Sequence, residues 1–155
     1  MEHPMTSTAY KLGATCVAFN ESGHVLITLR RSPERWELPG GLVEPGESLS
    51  AAAARETLEE TTVAVDVHGL VGLYQHPNRG ILAAVFIATM TSGTPRPTAE
   101  ASEARWAEVP DALNALHPLY RPRLTDALAA KHTVPMRVHD GATMLSGLEV
   151  RSARP

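Results

Sequence analysis

The chain has 155 residues, 43% of them hydrophobic, with 14 Lys and Arg set against 17 Asp and Glu for a formal net charge of −3. That length suits one domain, and the apolar content excludes disorder along the whole chain. The mild acidity leaves no electrostatic footprint for nucleic acid or an anionic membrane, and the longest apolar run, 81–88, falls far short of the roughly 20 residues that span a bilayer.

Residues 1–11 lack the basic start and apolar block of a secretory leader, and the lone Cys16 has no internal disulfide partner, so a reducing cytoplasm is the expected compartment. Residues 12–19 and 24–29 predict two strands, joined into a hairpin by Asn20-Glu21-Ser22-Gly23. In Trp36-Glu37-Leu38-Pro39-Gly40-Gly41, the proline and paired glycines stop regular structure and predict unusual backbone angles. After the turn Glu44-Pro45-Gly46, Ser48 reads as the N-cap of a helix over 49–60, which is rich in Ala, Arg, Leu and Glu. Thr61-Thr62-Val63 ends that helix. Strands follow at 63–67, 69–74 and 81–89, the last uniformly apolar as in a strand covered on both faces. Gly93, Pro95 and Pro97 make 91–101 an exposed loop. A short strand is expected at 104–109, then one or two helices within 110–131, interrupted by Pro118 and Pro122. From Val134 onward there is no clear periodicity. This divides the chain into a domain at 1–135 and a C-terminal extension at 136–155, partly ordered or packed on the domain. A mixed sheet with a helix on each face is the natural architecture.

Chemistry concentrates in 41–63. Glu56, Glu59 and Glu60 stand at i, i+3 and i+4, so their carboxylates share one helix face. Like charges at this spacing weaken a helix by roughly 0.2–0.5 kcal/mol per pair, so the arrangement gains only if something positive lies opposite. A hard cation such as Mg²⁺ takes oxygen ligands of this kind. Taken alone, a solvated acidic face explains the cluster equally well. The full spacing is more specific: Gly41, five residues, Glu47, seven residues, Arg55-Glu56, two residues, Glu59-Glu60. At usual residue frequencies six fixed positions match by chance about once in ten million starts. This pattern resembles the signature of the Nudix hydrolases, and the strand–loop–helix order around it agrees. Two positions depart from the family pattern. Thr57 replaces the usual aliphatic residue but can still turn its methyl group to the sheet. Thr62 stands where glycine usually supplies a left-handed angle that β-branched residues resist, which implies a different helix exit.

The resemblance implies an α/β/α sandwich with a mixed sheet, the catalytic helix on one face and the C-terminal helix on the other. It implies hydrolysis of a diphosphate bond in a nucleoside diphosphate linked to X, with Mg²⁺ or Mn²⁺ as cofactor. The expected partner is a small-molecule nucleotide substrate, and a homodimer is the common assembly in the family. By motif position, Glu56, Glu59 and Glu60 would bind metal directly or through water, near the carbonyl of Gly41. Glu59, Glu60 or a carboxylate from a later loop, Glu103 or Glu100, would activate water. Arg55 would pair with Glu47 to fix the loop against the helix. Tyr74, Phe86 or Trp36 could stack on a base, although an aromatic at a strand position is more often core, and Arg79 could meet a phosphate. Pro77, 14 residues past Val63, lies near the position the family associates with ADP-ribose. ADP-ribose or a nucleotide sugar therefore ranks ahead of an (oxidised) nucleoside triphosphate, and a nucleotide sensor without turnover is the alternative of another class. His68, His76, His117, His132 and His139 show no metal-ligand spacing. Cys16, within an apolar strand, reads as a buried inert thiol.

Overall fold

The computed structural model describes residues 9–129 and 133–151, with side chains described as far as Leu145 in the last strand. The expectations for residues 1–8, for His132 and for the end of the 110–131 segment lie outside the described residues. In chain order the elements are β1 (Lys11–Phe19), β2 (Val25–Arg31), β3 (Glu34–Glu37), β4 (Gly40–Leu42), α1 (Leu49–Thr61), β5 (Ala64–His76), β6 (Ile81–Ser92), β7 (Ala101–Ala107), α2 (Val109–Ala115), α3 (Arg121–Leu128), β8 (Thr133–His139) and β9 (Met144–Arg151). Among the described residues the strands form one mixed sheet ordered β3-β2-β1-β6-β5-β8-β9, with β4 added to β1 and β7 to β2. No helix among them is long and apolar enough to cross a membrane.

β1 is the hub. It runs parallel to β6 from Lys11 opposite Ile81 to Phe19 opposite Thr89, and its side chains alternate between two cores. Ala14, Cys16 and Ala18 face Ala52, Ala53 and Val63 on the α1 side. Small residues on both partners let this helix lie close to the sheet. Val17 points the other way, into a core with Tyr74, Leu116 and Leu124 that α2 and α3 cover. The α/β/α sandwich follows from this two-sided burial. Cys16 is fully buried, and burial pushes its thiol up to about 11, so it is inert as expected.

Several expectations change. The segments 63–67 and 69–74 form one strand, β5, whose irregularities are absorbed at Val67/Gly69 and Leu70/Gly72. Pro122 lies in the first turn of α3, where its missing N–H costs nothing, so it starts a helix rather than interrupting one. The aperiodic tail forms the β8–β9 hairpin, and β8 lies parallel to β5 with Leu73 opposite Met136. The 135/136 division falls inside β8. Neither Gly40 nor Gly41 is among the glycines with positive φ. They are needed for space instead. A Cβ on Gly40 would come within 2.5 Å of the Ala14 carbonyl oxygen, and one on Gly41 within 2.5 Å of Glu56 Oε1.

The exit of α1 also differs from expectation. Thr62 adopts the left-handed conformation (φ 64, ψ 13) that glycine would supply, and its N–H donates to Leu58 O at 2.9 Å. Its Oγ1 donates to Thr94 O at 2.6 Å, which holds the β-branched residue there. Left-handed geometry costs a non-glycine residue about 1–2 kcal/mol, against about 1 kcal/mol returned by one hydrogen bond. Thr62→Gly is therefore expected to raise Tm by about 2 °C. Thr62→Ala, which keeps the strain and loses the bond, should lower it. Thermal unfolding of both variants checks this, and a fall in Thr62→Gly would show that the Thr94 bond outweighs the strain.

Candidate active site

Helix α1 carries the chemistry, and its start is well anchored: Ser48 Oγ accepts from the Ala51 N–H at 3.1 Å. Arg55 ties the preceding loop to the helix. Its Nε and Nη2 donate to the two oxygens of Glu47 at 3.0 and 2.6 Å, and Nη2 also donates to Leu42 O at 3.0 Å. Its Nη1 reaches Glu56 Oε1 at 3.0 Å and Glu59 Oε2 at 3.1 Å. The Arg55 guanidinium holds the Glu47 carboxyl down at about 2. This is the pairing that the motif implied.

Glu56 is buried beneath Gly41, at 8% exposure, and burial raises its pKa although Arg55 opposes the shift. Glu60 lies one turn on. Its Oε2 accepts from the Gly40 N–H at 3.3 Å. Burial foremost, reinforced by the charges of Glu56, Glu100 and Glu37, pushes its carboxyl up to about 8 against the help of that bond. Glu100 completes the group: carboxylate oxygens of Glu56, Glu60 and Glu100 all lie within 4.8 Å of one another. Thr98 positions Glu100, since its Oγ1 donates to Glu60 O at 3.3 Å and accepts from the Glu100 and Ala101 N–H groups. Arg31 fixes the same loop through Thr98 O at 2.8 Å and Ala99 O at 3.2 Å. The three carboxylates face a cavity of about 590 Å³ whose rim carries Arg30 and Arg31.

Other expected residues lie elsewhere. Glu59 is half exposed, spends an oxygen on Arg55 and is not in the three-carboxylate group. Glu103 sits exposed on β7 opposite Leu29, 3.7 Å from Arg105 Nε, so of the two loop candidates the fold brings in Glu100 and not Glu103. Trp36 stacks under the Arg105 guanidinium at 4.7 Å, away from the carboxylates. Pro77 and Arg79 open and close a 3₁₀ turn between β5 and β6, and neither lines the carboxylate cavity. Tyr74 and Phe86 belong to the two cores. Sequence reasoning missed the arginines of the cleft. Three of the six residues from Arg30 to Arg35 are arginine, a local excess that could have flagged them.

An all-oxygen donor set in which burial and like charge already penalise ionisation fits a hard divalent cation, which would supply the missing positive charge. With the arginines alongside, the site suits the hydrolysis of phosphoric anhydrides, and this is the enzyme class that fold and site define. The sequence matches the NUDIX domain family over residues 9–128, and the chain belongs to that family as a Nudix hydrolase. It is 34% identical over 150 residues to a MutT-like protein of Streptomyces ambofaciens, covering 94% of this chain and 96% of that one. It is 39% identical over 84 residues to a putative 8-oxo-dGTP diphosphatase of Bacillus subtilis, covering 54% of this chain and 56% of that relative. The crystal structure of a NUDIX hydrolase from Nitrosomonas europaea superposes with a TM-score of 0.69 at 27% identity, over 75% of this chain and 68% of that one.

Proposed function

We propose that the chain hydrolyses a diphosphate bond in a nucleoside diphosphate linked to X, and that Glu56, Glu60 and Glu100, beside the carbonyl of Gly41, hold Mg²⁺ or Mn²⁺. The convergence of three carboxylates within 4.8 Å carries this reading. When bound, such a cation neutralises the diphosphate and lowers the pKa of coordinated water. The chain's own residues do the rest. Arg55 braces Glu47 and Glu56, so ligand geometry is set before substrate arrives. Arg30 and Arg31 offer charge to phosphate oxygens at the cavity rim. Glu59, half exposed on the same helix, is the carboxylate assigned to take a proton from the attacking water. Glu100, one of the two loop carboxylates that the motif reading offered for activating water, serves in this reading as a metal ligand instead.

On motif spacing, X is the sugar of ADP-ribose or of a nucleotide sugar. The relative named for 8-oxo-dGTP favours a second reading, in which the substrate is an (oxidised) nucleoside triphosphate. Product analysis over ADP-ribose, ADP-glucose, diadenosine polyphosphates, dGTP and 8-oxo-dGTP, with and without Mg²⁺, separates the two. Metal-dependent release of AMP and ribose phosphate from ADP-ribose is the expected result for the first reading, and pyrophosphate from a triphosphate alone selects the second. Nucleotide binding without any product would overturn both and leave a sensor.

A further inference from the structure

Past Gly40, Gly41 and Leu42, which line both spaces, the carboxylate cavity continues into a second chamber of about 230 Å³. Its walls carry Arg30, Arg35 and Arg123 against one carboxylate, Glu37. Glu37 is already paired with Arg35, and Arg30 Nε donates to Ser32 O at 3.0 Å. Among the described residues, Arg123, near the start of α3, has no carboxylate within ion-pair distance. Its guanidinium lies over the rings of Tyr74 and Tyr120, 5.3 and 4.7 Å from their centroids, and Nη1 donates to Thr15 Oγ1 at 3.3 Å. Its Nε is shut off from solvent with no hydrogen-bond partner, and burial pulls its pKa down. Asp126, on the same helix, accepts instead from Arg137 and from the Tyr74 hydroxyl. The side chain is half-buried with its Nε end shut in, and Glu37, already paired with Arg35, is the carboxylate whose charge reaches it. Aromatic faces compensate only part of the cost of withdrawing a cation from water. The tyrosines hold the fork in place, and among the described residues of the chamber three arginines face the single carboxylate of Glu37, so the chamber suits a bound anion.

We propose that this chamber is a second oxyanion subsite in which Arg123, with Arg30 and Arg35, binds a phosphoryl group of the substrate beyond the scissile bond, so that the preferred X carries a phosphoryl group and is not the bare sugar that motif spacing suggests. The inference rests on the reading above for where the scissile bond lies. A guanine edge offers acceptors to the same fork, but a neutral group leaves three arginines facing one carboxylate uncompensated. A phosphoryl group supplies both the charge and the geometry that a guanidinium recognises.

Equilibrium binding of inorganic tripolyphosphate to the metal-free full chain, measured calorimetrically, tests the subsite without requiring turnover. Arg123→Met is expected to bind at least tenfold more weakly. Arg123→Lys, which keeps charge but loses the planar fork, should fall between. Arg123→Met removes a half-buried charge whose Nε has no hydrogen-bond partner, so its Tm should match or exceed that of the parent. With substrates, Arg123→Met should raise KM for adenosine 5′-tetraphosphate about tenfold and leave KM for ADP-glucose within twofold. Equal tripolyphosphate affinity in parent and Arg123→Met, or an equal rise in both KM values, overturns the subsite. Loss of tripolyphosphate binding in a protein that hydrolyses no nucleotide would keep the subsite and overturn the hydrolase reading.

Discussion

Glu60→Gln is expected to cut turnover at least a thousandfold with the fold retained, and to raise the stability of the metal-free protein increasingly as pH rises. The first effect corresponds to about 4 kcal/mol of transition-state stabilisation, a reasonable share for one ligand of a cation that neutralises a diphosphate. The second follows from the environment of Glu60, whose carboxyl titrates near 8 in the fold against an ordinary 4.5. Protons bind this group more tightly in the folded chain than in the unfolded one. Its favourable contribution to folding is therefore complete below pH 4.5 and lost as pH rises through 8. Gln keeps the neutral form at every pH. Its advantage should grow from nil near pH 4 to on the order of 2 kcal/mol at pH 9, after allowing for residual solvent contact. Added Mg²⁺ should raise the parent's Tm more at high pH than at low pH, because the ion needs the carboxylate form. Steady-state kinetics and melts across that range are the measurements. Retention of a tenth of the activity, or a Tm difference that does not change with pH, would defeat the assignment.

A single methyl group should separate the two glycines of β4. In Gly41→Ala the new Cβ meets the end of a side chain, the Glu56 carboxyl. That group must turn away, so kcat should fall about a hundredfold, as misplacement by about an ångström does, with little loss of stability. In Gly40→Ala the Cβ meets main chain, 2.5 Å from Ala14 O and 2.8 Å from Thr15 Cα. Neither can yield without parting β4 from β1, so stability should drop by about 2–3 kcal/mol, in the range of overpacked cores. Denaturant unfolding and kcat, measured on both variants, decide between site and scaffold. Matching profiles for the two would contradict this division of roles.

The parts of the site legible in the sequence were those with local spacing. The helix from 49, its Ser48 cap and the Arg55–Glu47 pair all lie within one 23-residue box, where helical periodicity and capping chemistry act over a few residues. The third carboxylate was not legible to the residue. Glu100 and Glu103 differ by three positions, and Thr98, bonded to the end of α1, decides which reaches the cleft. Arg123 joins the cleft only through the packing of α3 against β1 and β5, a contact with no local signature. The β8–β9 hairpin was missed for a similar reason: β8 is specified by pairing with β5, some sixty residues earlier, rather than by alternation of its own. At Gly40 and Gly41 composition was read as conformation, when the fold required room.

Three hydrogen bonds cross from the last turn of α1 to the segment that delivers Glu100: Thr62 Oγ1 to Thr94 O, the Arg96 N–H to Thr61 O, and Thr98 Oγ1 to Glu60 O. Helix end and loop therefore form one stiff body, and an exposed loop carboxylate inherits the rigidity of a buried helix. Glycine at position 62 would leave that seam with two stitches instead of three. Relaxed backbone and firm ligand geometry thus pull on this residue in opposite directions, and the threonine records which of them prevailed in this chain.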